Sequence, residues 1–194
     1  IKAKIISRQE GILAGIRFAR DIFYLKGCRV RIIKKDGAKV KPNQTILQVS
    51  GDAKAVLSCE RTVLNLLARM SGIATQTSLL VSKIRKINRK TKLYSTRKTA
   101  PGLRFFDKEA VAIGGGHKHR MSLNDMVMIK DNHLLVSNSI ENITKNARKQ
   151  HRDVEVEVEN QRDAMIAASS GATIVMLDNF SPAQIKKTIS ALQK

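Results

Sequence analysis

The sequence predicts an α/β protein in which a small N-terminal domain with an antiparallel sheet, residues 1–90, precedes a partial (β/α) barrel, residues 91–194. Three observations predict it. Short alternating segments separated by turn residues fill the first fifty positions, two stretches with apolar residues at helical spacing follow, and from Lys92 onward a pattern of strand, loop and helix repeats four times.

Residues 3–7 (AKIIS) read as the first strand, and residues 16–25 as a helix. Alternation over 29–34, an Asp36-Gly37 turn, and the run 45–49 before Ser50-Gly51-Asp52 complete a small antiparallel sheet. Two helices are expected next. Ser58 is placed to cap the first, Val63, Leu64, Leu67 and Met70 give it one apolar face, and Gly72 is placed to end it. The second carries Ile73, Leu80, Val81, Ile84 and Ile87 and stops at the basic residues 88–92, where the cluster Lys83 to Lys92 reads as a solvated helix end.

The four repeats then follow. KLYS (92–95) leads to Thr96-Arg97-Lys98 and a helix over 103–113, and MVMI (126–129) leads to Lys130-Asp131-Asn132-His133 and a helix over 139–150. VEVEVE (154–159) leads to a helix over 161–170 closed by Gly171. TIVML (173–177) leads to Asp178-Asn179 and a last helix with Ser181 as cap, Pro182 at its first position and Gln184 completing a capping box. In every unit polar groups lie on or just after the strand, at the rim where (β/α) barrels place their chemistry. A complete eight-fold barrel takes about 250 residues, and four parallel strands with open edges do not finish a domain, so the chain is expected to be a fragment of a longer one.

The formal charge of +20 has three possible sources: a nucleic-acid partner, an acidic substrate, or a solvated surface. Trp is absent, only 4% of residues are aromatic, and no zinc-finger or RNP pattern occurs, so no dedicated nucleic-acid partner is expected. The apolar runs fall short of the roughly 20 residues that span a bilayer, and the first residues lack a signal peptide's apolar centre; a soluble, cytoplasmic protein with no membrane partner is expected. Cys28 and Cys59 form neither a disulfide framework nor a CxxC motif and read as ordinary buried or half-buried residues.

Between Glu60 and Asp107 no acidic residue occurs while arginines and lysines accumulate, and within this stretch lies TRKTAPG (96–102). Two adjacent cations followed by a Pro-Gly turn suit a polyanionic ligand. His117 and His119 have a metal-like spacing, but neither Cys nor an acid stands beside them, so zinc is not expected. Gly114 to Gly116 read either as a helix stop or as backbone N–H groups facing an anion. Alternation puts Glu155, Glu157 and Glu159 on one strand face, which is costly inside a barrel without cations. Glu157 is taken as functional, and Glu155 and Glu159 as solvated; Asp178 reads as functional, with a turn role as the alternative.

The blocks ERTVLNLLARMSGIAT, TRKTAPG, GGGHKHRMSLNDMVMIKDNH, VEVEVEN and IVMLDN, in this order, resemble the quinolinate phosphoribosyltransferase family. The resemblance implies a sandwich-like N-terminal α/β domain and an irregular (β/α) barrel, in homodimers or higher oligomers whose active site borrows a residue from the partner. The implied reaction joins quinolinate to phosphoribosyl pyrophosphate with Mg²⁺, giving nicotinate mononucleotide, pyrophosphate and CO₂. By the same resemblance Arg97, His119, Arg120 and Lys130 bind quinolinate, Arg61 arrives from the neighbouring subunit, and Lys98 serves the phosphates. Glu157 and Asp178 lie near the ribose and Mg²⁺, which they hold directly or through water. The family's first helical segment and its Gly-rich phosphate loop are not seen in the sequence, and His117-Lys118 is more basic than in many relatives. Two other readings are a related molybdenum-transport-associated protein, from which the intact residues 129–133 separate it, and a degenerate or truncated homologue acting as a basic binding or scaffold protein.

Overall fold

A computed structural model describes residues 1–137 and 139–193, which pack as two compact units, Ile1–Met121 and Ser122–Lys194. The first holds β1 (Lys2–Ile6), β2 (Gly11–Ile12), α1 (Ile16–Leu25), β3 (Arg29–Ile32), β4 (Lys39–Val40), β5 (Thr45–Ser50), α2 (Ala53–Ile87) and α3 (Arg104–Ile113). As the alternation predicts, β5 pairs antiparallel with both β1 and β3 in the order β1-β5-β3, while β2 and β4 form a separate two-stranded pair. Leu47 and Val49 of β5 are buried against Phe23 of α1 and Val56, Val63 and Leu67 of α2. Asp36 of the expected turn acts at a distance: its Oδ1 accepts from the Ile16 N–H at 2.9 Å and so caps α1, whose preceding residue, Gly15, has a positive φ. Cys28 and Cys59 are both buried, free thiols.

Two expectations fail in this unit. Residues 53–87 are one helix of 35 residues, not two. Asp52, not Ser58, is the cap, accepting from the Ala55 N–H at 3.1 Å, while the Ser58 hydroxyl donates to the Ala55 carbonyl within the helix. Gly72 does not end it, because the buried stripe Val56, Cys59, Val63, Leu67, Met70, Ala74, Thr77, Val81 runs on unbroken, and that burial outweighs the roughly 1 kcal/mol that a helical glycine costs. KLYS is not a strand either: it makes a single parallel bridge, Tyr94 to His117. Leu93 is its one aliphatic residue and Lys92 and Tyr94 are exposed, so it has no face to bury in a sheet. The basic end of α2 is solvated as expected, with Lys83, Arg85, Lys86, Arg89 and Lys90 exposed.

The second unit holds β6 (Val127–Ile129), α4 (Asp131–Ser137), α5 (Ile140–Gln150), β7 (Val154–Val158), α6 (Gln161–Ser169), β8 (Ile174–Leu177) and α7 (Pro182–Leu192). The strands are parallel in the order β6-β7-β8, with Ile129 beside Val156 and Val158 beside Leu177. This is the α/β arrangement that the repeats predict. Ile129, Val154, Val156 and Val158 form the core with Ala164 and Ala167 of α6. The predicted capping box of α7 is present, and Ser139 caps α5. The short helix α4 was not foreseen; the Lys130 N–H donates to His133 Nδ1 at 3.0 Å, which starts a turn where a loop was expected. Among the described residues no helix is long and apolar enough to cross a membrane.

Candidate active site

Pairing fixes which side chains share a face. Ile129, Val156 and Leu177 point into the core of the second unit, so their neighbours Lys130, Glu157 and Asp178 lie on the opposite sheet face, at the C-terminal ends of three adjacent strands. There Lys130 Nζ donates to Glu157 Oε2 at 2.6 Å, with both side chains partly shielded. An ammonium has three donors, so Lys130 keeps two for a ligand while Glu157 fixes its position. Asp178 is held by its N–H bond to the Val158 carbonyl at 2.9 Å and accepts from Asn179 Nδ2 at 3.2 Å. Asn179 adopts a positive φ of 59°, which turns the chain sharply after β8.

Glu155 departs from expectation. It is 1% exposed and has a partner, so it is not a solvated residue; Glu159, past the end of β7, is exposed as expected. The sheet face that carries Glu157 is covered further down the strand, and a carboxylate there persists only when paired.

In the first unit the cations fall on two loops that leave one bridge side by side. His117 N–H donates to the Leu93 carbonyl at 2.8 Å and Ser95 N–H to the His117 carbonyl at 2.9 Å. From this bridge one loop runs to Arg97 and Lys98, the other to His119 and Arg120. In the first loop Thr96 Oγ1 accepts from the Lys98 N–H, and Gly102 takes a positive φ of 72° to enter α3. The loop is anchored by Asp107 of α3, which accepts from the Ala100 N–H at 3.3 Å and forms a two-pronged pair with Arg69 of α2 at 2.7 and 2.9 Å. The Arg69 hydrogen bond, helped by the Ala100 N–H, holds the Asp107 carboxyl below the ordinary carboxylate range despite its burial. Arg97 is half-buried, and its Nε is enclosed with no hydrogen-bond partner among the described residues. Such a group in a folded chain marks a place for an absent acceptor.

The Tyr94 ring lies 5.0 Å from His117 and 6.1 Å from His119, and among the described residues no three His, Cys, Asp or Glu side chains gather closely enough to hold a metal. The three glycines end α3 and let it pack: a Cβ on Gly114 would lie 2.4 Å from the Ala74 carbonyl oxygen, and one on Gly116 2.8 Å from Val111. Arg61 is exposed on α2, and Lys98 is exposed in its loop. Asp107 and Lys108, both buried on α3, were missed in the sequence; the signal for Asp107 was its position between Leu103 and Ala110 in the helix's apolar register.

The chain is similar to known proteins over its whole length. The family model for the quinolinate phosphoribosyl transferase N-terminal domain matches residues 1–71, and that for the C-terminal domain matches residues 73–194. A probable nicotinate-nucleotide pyrophosphorylase (carboxylating) of Archaeoglobus fulgidus is 43% identical over 194 residues, covering all of this chain and 75% of the relative. The human nicotinate-nucleotide pyrophosphorylase (carboxylating) is 36% identical over 196 residues, covering 99% of this chain and 66% of the relative. The solved nicotinate-nucleotide pyrophosphorylase of Francisella tularensis superposes with a TM-score of 0.92 at 38% identity, covering 99% of this chain and 69% of that one.

Proposed function

The chain belongs to the quinolinate phosphoribosyltransferase family, and from that premise we propose that it is a carboxylating nicotinate-nucleotide pyrophosphorylase of NAD biosynthesis. Quinolinate and phosphoribosyl pyrophosphate are its substrates. The bond from the ribosyl anomeric carbon to pyrophosphate breaks and a bond from the pyridine nitrogen forms; the carboxylate beside that nitrogen then leaves as CO₂, its electron pair stays on the ring carbon beside the cationic nitrogen, and a proton from solvent is taken up at that carbon. The observation that carries the reading is the half-buried Arg97, whose enclosed Nε has no acceptor among the described residues: a planar, singly charged guanidinium with an unsatisfied donor is suited to a carboxylate, which it can meet with two parallel hydrogen bonds.

In the first unit Arg97, His119 and Arg120 take the carboxylates of quinolinate and Lys98 takes phosphate. In the second, Lys130 adds a cation already oriented by Glu157. Glu157 and Asp178 serve the phosphoribosyl half, holding ribose hydroxyls and favouring cationic charge as it develops at the anomeric carbon. Glu157 and Asp178 at the strand ends, with no group of three His, Cys, Asp or Glu gathered among the described residues, fit Mg²⁺, which characteristically keeps its waters and shares substrate phosphates. Mg²⁺ bound there would neutralise the leaving pyrophosphate. Catalysis is then positional and electrostatic, with no covalent intermediate on the protein. Arg61 completes a site in a second copy, so the working form is a dimer or larger oligomer, and its place is the cytoplasm.

Quinolinate labelled in its ring carboxyls tests the assignment. Incubated with phosphoribosyl pyrophosphate, the protein should release labelled gas only when Mg²⁺ is present, and nicotinate should not be used. Equal turnover of nicotinate would overturn it.

A further inference from the structure

Lys108 is 0% exposed on α3, an unusual place for an ammonium, because desolvating one costs several kcal/mol unless partners repay it. Its Nζ donates to Ser95 Oγ at 3.1 Å and to the Lys118 carbonyl oxygen. Ser95 Oγ donates to that same oxygen at 2.8 Å. One backbone carbonyl thus receives two donors, one of them charged. The next residue is His119, whose φ of 52° lies in the left-handed region. A side chain other than glycine holds that conformation at a cost on the order of 1 kcal/mol or more, so something must fix the peptide that sets it.

The bonds between His117 and residues 93 and 95 fix the backbone just before this peptide, but they do not reach the Lys118 carbonyl. What turns that carbonyl inward is Ser95 and Lys108. We propose that Lys108 is a positioning residue for the reaction: its buried ammonium locks the peptide between Lys118 and His119, and thereby sets the direction in which His119 and Arg120 meet the substrate carboxylates. The proposal rests on the assignment of His119 and Arg120 to quinolinate. Lys108 itself touches no substrate. It acts through one peptide unit, which loses the charged one of its two donors when Lys108 is replaced and keeps only the neutral Ser95 hydroxyl, so that the left-handed φ of His119 is held less firmly.

The edge-on contact between the Tyr94 and His119 rings, at 83° and 6.1 Å, supplies a probe that needs no substrate. Lys108→Met keeps length and apolar bulk while deleting the donor. In the full chain, the His119 imidazole proton resonances should shift as the ring leaves Tyr94. Quinolinate affinity by calorimetry should fall roughly 10- to 100-fold, the loss expected for one hydrogen bond from a charged donor, while phosphoribosyl pyrophosphate affinity stays within about twofold. Ser95→Ala, which removes the neutral donor, should weaken quinolinate by a smaller factor, about threefold to tenfold. A purely structural Lys108 would lower thermal stability and leave the His119 resonances and the ratio of the two affinities unchanged, and that result overturns the proposal. Should Lys108→Met fail to fold, Ser95→Ala decides by the same two readouts, and unchanged values sink the idea. If the unsubstituted chain does not bind quinolinate, the functional assignment falls, and the His119 resonances alone decide whether Lys108 locks the peptide.

Discussion

Glu157 carries two tasks at once: it orients Lys130 at 2.6 Å and, in the proposed reaction, faces the ribosyl carbon with Asp178. Glu157→Gln and Asp178→Asn retain size and most hydrogen bonding while removing charge. Quinolinate binding should change by no more than about threefold, whereas turnover should fall about a hundredfold or more, the scale on which one preorganised electrostatic group acts. Calorimetry beside steady-state rates separates the two; loss of quinolinate binding, or intact turnover, would reassign both carboxylates. At this scale the sequence was readable where chemistry is local. Lys130 and Asp178 stand immediately after their strands and Arg97 and Lys98 three and four residues past the Tyr94 bridge, and the order of the motif reports these positions, not the roles proposed for them. Glu155 was misread because alternation tells which residues share a face, not whether that face is covered. Lys108 was invisible for a related reason: its partners include a hydroxyl 13 residues away and a carbonyl 10 residues away, and no local pattern encodes them.

Among the elements, two glycines of the first unit have opposite reasons to be there. Gly72 lies mid-helix in α2 with nothing within 4 Å of where a Cβ would sit, and its φ is not positive. Gly72→Ala should therefore stabilise the protein by about 0.5–1 kcal/mol. Gly114 lets α3 end against the backbone of α2, and Gly114→Ala should destabilise by about 1–3 kcal/mol, as overpacking does. Denaturant midpoints at unchanged slope measure both, and a destabilised Gly72→Ala would mean that α2 needs flexibility at that point. The same residue explains a misreading. Gly72 was taken as a stop because local propensity favours one, but the helix is held by a buried stripe contributed by residues as far apart as Val56 and Val81. Helices with local punctuation, such as α7 with Ser181, Pro182 and Gln184, were legible to the residue.

On the scale of the whole molecule, the antiparallel sheet, the three parallel strands in sequence order and the family were all legible, since each rests on patterns repeated over many residues. The number of parallel strands was not, because KLYS matches the repeat in sequence position while offering a single aliphatic residue, Leu93, too few to bury in a sheet. The proposed sharing of Arg61 between subunits is testable at this scale. Arg61→Ala and Arg97→Ala, each inactive alone, should regain part of the activity when refolded together, because a mixed dimer has one site with both arginines. No recovery in demonstrated mixed dimers would place Arg61 elsewhere. The unbroken α2 has one further consequence. The two family domains meet at residues 71–73, inside this helix, between Met70 and Ala74, both 0% exposed. Their border is thus a matter of phase. Inserting one residue there would rotate everything beyond by about 100° and carry Ala74, Thr77 and Val81 out of the buried stripe, so chimaeras joined at this border must preserve helical register, and relatives can lengthen or shorten it only in steps that restore the stripe.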